Sequence, residues 1–342
     1  MKSLKKILAV LLISVLAFAL IGCGNGDSKE EEPAADAGAD DGKTYSLKIG
    51  TALTDADPLT KGLLALADAV ADETDGKLTI EVYPSSQLGD TGDVLEQAKG
   101  GSNVGIIIDT GMLGDYVKDM AIFTAPYIFD NFEEARKFID TDLFKSWDEE
   151  LTTYGLRDLG CNWYQGARNF YTANEVKTPA DLTGLRVRTM GSEVAQESMK
   201  AFGAVPTALA WGEVYSGLQS NAIDCVEAQT SAAYGASLFE VTKHVTFTEH
   251  FQLLTALVIS EEWYQTLPDE YKEILTKCAI EAGDEAAQGT IDAEADYIAE
   301  MEGKGLVFSE VDKAPFIEAS QAVYEKMGWV DLKKEIDAAL GK

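Results

Sequence analysis

The chain has 342 residues, with 58 acidic against 28 basic side chains and a formal net charge of −30. So acidic a molecule repels phosphate backbones, which argues against nucleic acid as a partner. Four cysteines and two histidines, widely scattered, fit neither a disulfide framework nor a metal cluster, and the length leaves room for two domains with their own cores.

In chain order, Lys2, Lys5 and Lys6 precede an apolar run from Ile7 to Ile21, interrupted only by Ser14. The run is short for a membrane span and fits a secretory signal core. It ends in Leu20-Ile21-Gly22-Cys23, which resembles the lipobox of bacterial lipoproteins. On that reading residues 1–22 are a lipoprotein signal peptide and Cys23 is the lipid-bearing mature N-terminus. An ordinary cleaved signal or a short anchor helix is the alternative. Gly22, Gly24 and Gly26 do not form a nucleotide loop, because no strand precedes them and no helix follows. Residues 23–43, rich in Gly, Ala, Asp, Glu and Ser, read as a solvated tether.

From about Thr44 the composition is that of a globular protein. Tyr45–Gly50 alternates as a strand, Leu63, Leu66, Ala67 and Val70 recur at helical spacing, and Leu78–Tyr83 is a second strand. Asp93–Lys99 reads as a helix and Val104–Ile108 as a strand. This alternation predicts an α/β fold with a largely parallel sheet. Thr51–Asp57, Pro84–Asp90 and Asp109–Gly111 each follow a strand and would line one crevice. A second pass of the pattern starts near Leu156, with a strand at Leu185–Thr189 and helices at Glu193–Ala201 and Trp211–Ser220. Tyr271, Ile274, Leu275 and Cys278 begin a helix that runs to about Glu302, with bends expected at Gly283 and Gly289. Such a helix could brace both lobes. Cys278 lies on its apolar face and reads as core, and a Cys161–Cys225 bridge is open.

No enzyme constellation is present. His244 and His250 are spaced wrongly for a zinc pair on one helical turn, and neither a Gly-x-Ser-x-Gly elbow nor a phosphate loop occurs. Nothing can be assigned as nucleophile, base and orienter.

The segment Tyr83-Pro84-Ser85-Ser86-Gln87-Leu88-Gly89-Asp90 closely resembles a signature of the DctP-like solute receptors of tripartite ATP-independent periplasmic (TRAP) transporters. Further blocks follow in family order: Leu95-Glu96-Gln97, Ala125-Pro126-Tyr127-Ile128-Phe129, Gly166-Ala167-Arg168 and Thr178 through Arg188. Trp211 through Gln219, Asp224 through Glu227, and Phe239-Glu240-Val241 complete the set. The resemblance implies a two-lobed periplasmic-binding-protein-like fold with a central ligand cleft. Lobe one would comprise residues 44–165 with 254–293, and lobe two 166–253 with 294–342.

The resemblance also implies the chemistry: an organic acid held by an arginine of the second lobe, here Arg188, with help from Arg168. A planar guanidinium suits the task because it gives two parallel charge-assisted hydrogen bonds to a carboxylate. Arg186 is left out. Trp211 matches a bulky site that packs on ligand, or is a core residue. Asp109 matches a lobe-one contact, or caps its strand. Tyr127 and His250 are candidate rim residues, and Glu227 a ligand or hinge residue. Ala228 stands where many relatives have Asn, Ala52 where many have a polar residue, and Cys225 where glycine is usual. The anchoring chemistry is kept while the selectivity pocket differs.

The expected function is therefore an extracytoplasmic receptor, anchored by lipid on Cys23, that needs no cofactor or metal and passes an organic acid to a small and a large TRAP membrane subunit. A binding protein of an ATP-driven importer, a sensor, or an anchored extracellular enzyme are the alternatives.

Overall fold

A computed structural model describes residues 42–342. The signal peptide, Cys23 and all but the end of the tether lie outside the described residues. Twelve strands run in chain order as β1 (Tyr45–Gly50), β2 (Leu78–Tyr83), β3 (Val104–Asp109), β4 (Leu156–Asp158), β5 (Trp163–Ala167), β6 (Asn169–Thr172), β7 (Arg186–Thr189), β8 (Val205–Ala208), β9 (Cys225–Ala228), β10 (His244–Phe247), β11 (Gln252–Ser260) and β12 (Val307–Glu310). They form two six-stranded sheets. The first has the order β2-β1-β3-β11-β4, with β5 also paired to β11, and the second has the order β12-β10-β6-β9-β7-β8. Each sheet is the centre of one lobe.

The first sheet grows from the predicted parallel unit: β1 pairs in parallel with β2 and β3. The helix Pro58–Glu73 connects β1 to β2. Its start is fixed by Pro58 in the first turn and by the Asp57 carboxylate, which accepts the Leu59 N–H at 2.9 Å. Leu59, Leu63, Leu66 and Val70 form its buried stripe. The central strand β11 is buried along all nine residues and runs antiparallel to β3, β4 and β5. The second α/β pass therefore begins at β6 rather than at Leu156: β4 and β5 complete the first sheet because both pair with the buried β11.

Three segments cross between the sheets: the long helix Asp269–Gly303 carries the chain from β11 to β12, and the other two are short. A single residue, Arg168, separates β5 from β6, and residues 248–251 return from β10 to β11. The two short crossings are tied to each other, since Arg168 N–H donates to Phe251 O at 3.0 Å and His250 N–H to Arg168 O at 3.2 Å.

The helix Asp269–Gly303 is one continuous element of 35 residues. The expected bends at its glycines do not interrupt it, because Gly283 is used for close packing. A Cβ there would lie 2.6 Å from Asn162 Oδ1, whose amide donates to Ile280 O and Asp284 Oδ1. At the same helix a Cβ on Gly62 would meet Ala286 Cβ at 2.6 Å, so the two helices approach at a spacing only glycine allows. The two C-terminal helices, Ala314–Met327 and Val330–Leu340, serve both lobes. Phe316 packs on Phe202 of the second, while Tyr324 and Trp329 enter the core of the first and Tyr324 O–H donates to Pro126 O at 2.7 Å. Cys161, Cys225 and Cys278 are buried free thiols, so no Cys161–Cys225 bridge forms. Among the described residues no helix is long and apolar enough to cross a membrane.

Candidate functional site

A cavity of about 430 Å³ opens between the two sheets. Thr51, Ala52 and Leu53 after β1, Ser86 and Asp90 after β2, and Asp109 at the end of β3 line it from the first lobe, as expected for loops at the carboxyl ends of parallel strands. Arg188, Met190, Leu209 and Trp211 line it from the second, and Arg168 from the crossing. Four of the seven sequence-predicted residues, Arg188, Arg168, Trp211 and Asp109, are thus brought to one wall-to-wall space.

Arg188 lies in the parallel pairing of β7 with β8 and β9, which fixes its backbone. Arg186, two positions earlier, forms an ion pair with Asp224 away from the cavity. The Arg188 side chain is only 4% exposed. Its Nε–H donates to Leu209 O at 2.9 Å, and its guanidinium sits 5.2 Å from the Trp211 ring centre. Among the described residues no carboxylate oxygen lies within 4.0 Å of it. Burial, aided by the nearby Arg168 charge, pulls its pKa down to about 10, so it remains a cation at neutral pH.

Arg168 is equally buried but is already engaged. It donates from Nε to Glu227 Oε2, from Nη2 to Glu227 Oε1 at 2.7 Å, and from Nη1 to Gln229 Oε1 at 2.8 Å. Burial works to raise the Glu227 pKa, but the Arg168 charge and contacts from Arg168 and His250 outweigh it, and the carboxyl ends below its usual value. Gln229 in turn donates to Gln165, and both amides line the cavity.

Asp109 is buried at the end of its strand. Its Oδ1 accepts the Gly111 N–H at 2.8 Å and starts the short helix Thr110–Leu113, while Oδ2 has no hydrogen-bond partner. Burial raises its pKa to about 6, against the lowering effects of the Gly111 N–H and Arg168.

Tyr127, His250 and Glu227 do not line the cavity; they stand behind it. His250 is fully buried, stacked on Phe170 with ring centres 4.9 Å apart, and shares a 2.9 Å hydrogen bond with Thr248 Oγ1. Its Nε2 lies 3.6 Å from Glu227 Oε2. Burial lowers its pKa despite Glu227, so the ring is neutral at pH 7. Tyr127, at φ 57°, braces the return crossing: its N–H donates to His250 O at 2.7 Å and its O–H to Thr248 O at 3.1 Å. Tyr127 and His250 are expected at the rim and Glu227 at the ligand or the hinge; the crossing geometry sets all three behind the cavity wall. Gln165 and Gln229 were missed. A signal was available in position: Gln165 immediately precedes the Gly166-Ala167-Arg168 block, and Gln229 closely follows the block that ends at Glu227.

A two-lobed α/β body that holds an unpaired cation in a cavity between its lobes defines a solute receptor. Residues 49–329 match the model of the DctP family, the bacterial extracellular solute-binding proteins of family 7, and the chain belongs to that family. It is 28% identical over 278 residues to the sialic acid-binding periplasmic protein SiaP of Vibrio cholerae, covering 81% of this chain and 84% of that protein. A TRAP periplasmic solute-binding protein from Escherichia fergusonii, solved in an apo open form, matches at 39% identity with a TM-score of 0.77, covering 86% of this chain and 100% of that one. One from Ochrobacterium anthropi with bound L-fuconate matches at 30% identity with a TM-score of 0.84, covering 87% of this chain and 99% of that one.

Proposed function

We propose that the protein captures an organic acid between its lobes, with Arg188 as the carboxylate anchor, and delivers it to the membrane subunits of a TRAP transporter. The observation that supports this most directly is the buried guanidinium of Arg188, exposed to the cavity and lacking a carboxylate of its own. A buried cation without a counter-ion is costly, and an entering carboxylate relieves that cost while two N–H groups of the fork bind it. Trp211 packs over the same guanidinium and holds its plane. Gln165 and Gln229 offer hydrogen bonds to the rest of the ligand. Arg168 and Glu227 set the field at the crossing and act on the ligand through it, with His250 and Tyr127 as supports.

The conformation is nearer to the L-fuconate-bound relative than to the open one, although the open one shares more sequence. We take it as the closed form, in which water is largely excluded and the ion pair strengthened. The lobes are those centred on the two sheets, and ligand favours closure through contacts made only when both walls touch it. The protein is a receptor without turnover. Lipid on Cys23 would hold it at the outer face of the cell membrane, with residues 23–43 as the tether.

Calorimetric titration of ligand-stripped protein with a panel of organic acids tests the assignment. At least one acid binds and Arg188→Ala removes the binding; retained affinity in that variant, or chemical conversion of the bound acid, would overturn it.

A further inference from the structure

We propose that Asp109 makes the site selective for monocarboxylates that carry a hydrogen-bond donor at their far end, and sets it against dicarboxylates. This rests on the reading of Arg188 as the carboxylate anchor.

The charge inventory of the cavity supports it. The ionisable groups lining it are Arg168, Arg188, Asp90, Asp109 and Glu213. Arg168 is neutralised by Glu227 through both carboxylate oxygens. That leaves one uncommitted cation, Arg188, and three acids. A ligand with one carboxylate matches this set. A second carboxylate would find no free cation among the described residues lining the cavity and would meet the acids instead, a repulsive element that lowers affinity without improving any contact.

Asp109 differs from the other two acids in being buried, whereas Asp90 and Glu213 are exposed at the mouth. The Gly111 N–H holds its Oδ1, so the carboxyl cannot turn away, and its Oδ2 is buried without a partner. A buried acceptor left unsatisfied is expensive, and a ligand hydroxyl or ammonium supplies the missing donor. The same geometry cannot satisfy a carboxylate, which brings only acceptors at neutral pH. A site that presents a buried acceptor thus rejects an analogue lacking the donor more strongly than an apolar wall would.

The lobe-two wall adds a second observation. A Cβ on Gly111 would fall 2.9 Å from Ser192 Oγ and 3.2 Å from Asp109 Oδ1, so Ser192 of the second lobe reaches the Asp109 corner. Ser192 Oγ is also buried and unpartnered. Ser192 follows Gly191, which lines the cavity, so the second lobe packs against the corner that Asp109 occupies.

The experiment titrates ligand-stripped protein at pH 7.5 with matched pairs differing only at the far end: 4-hydroxybutyrate against succinate, 6-hydroxyhexanoate against adipate, and D-gluconate against D-glucarate. In the wild-type protein the monoacid of each binding pair should bind about tenfold or more tighter than its diacid. Asp109→Asn keeps an oxygen for the Gly111 N–H while removing the charge, and should bring that ratio close to one. A diacid that binds as tightly as its monoacid in the wild type overturns the proposal without touching the carboxylate reading, and needs no variant. A monoacid preference unchanged in Asp109→Asn overturns the role of Asp109. Failure of every acid to bind the wild type overturns the carboxylate reading and this proposal with it.

Discussion

Arg188 and Arg168 are two buried arginines of one cavity, and truncating each should have opposite consequences for the empty protein. Arg188→Ala removes a cation that has one hydrogen bond, to Leu209 O, one ring contact, to Trp211, and no counter-ion among the described residues. The loss of those contacts is offset by relief of the burial that depresses its pKa to about 10. The ligand-free thermal midpoint should therefore stay within a few degrees or rise. Binding should suffer heavily: truncating one partner of a buried charge pair costs about 2–5 kcal/mol, or roughly 30-fold to 4000-fold in Kd. Arg168→Ala instead strands Glu227, buried and ionised behind the cavity. Leaving one charge of a buried pair alone costs about 3–5 kcal/mol, and at about 2–4 °C per kcal/mol for a chain of this size class the midpoint should fall by roughly 6–20 °C. Differential scanning fluorimetry of ligand-stripped protein, paired with calorimetric titration, reads both effects. If Arg188→Ala destabilises the empty protein as much as Arg168→Ala does, or binds acids like the wild type, the distinction between a free and a committed guanidinium is wrong.

The buried Asp109 carboxyl holds its proton to about pH 6, above the ordinary carboxylate value of 3.8. The folded state therefore binds more protons between those values, and this contribution to stability is complete below about pH 4 and lost as pH rises through 6. Relative to Asp109→Asn, the wild type should lose about 2–3 kcal/mol of urea-denaturation stability between pH 4 and pH 7.5. Gly62→Ala should cost about 1–3 kcal/mol by the same assay despite the better helix propensity of Ala, because its Cβ would stand 2.6 Å from Ala286 Cβ. Cys23→Ser should abolish incorporation of labelled fatty acid and move the protein from the detergent phase to the aqueous phase on partitioning; unchanged partitioning would refute the lipid anchor.

The elements legible in the sequence were those whose periodicity is local. β1 and β2 alternate and β3 is an apolar run; all three end in polar loops and came out within a residue of their observed limits. The wall those loops form was readable too, because ligands collect beyond the carboxyl ends of parallel strands. Arg188 was found through its motif block, and Arg186 is set apart from it by its ion pair with Asp224. What could not be read is what depends on pairing between distant segments. Leu156–Asp158 looks like the start of a new α/β unit until β11, a hundred residues later, pairs with it. Gly283 looks like a helix breaker until Asn162 is seen packed on it. Glu227 sits in a motif block and His250 lies beyond the last one, and only the tertiary crossing shows that they support Arg168 from behind.

The crossing at Arg168 also has a mechanical meaning. Two of the three connections between the sheets meet at one hydrogen-bonded point, Arg168 with His250 and Phe251, so a rotation of one lobe against the other that keeps this joint intact pivots there. Displacement grows with distance from a pivot. The Arg168–Glu227 pair is nearly stationary during such a swing, and a guest touching only that spot would leave the jaws indifferent between open and shut. Leverage belongs to groups set out along the walls, where a small grip on each side does the most to keep the mouth closed.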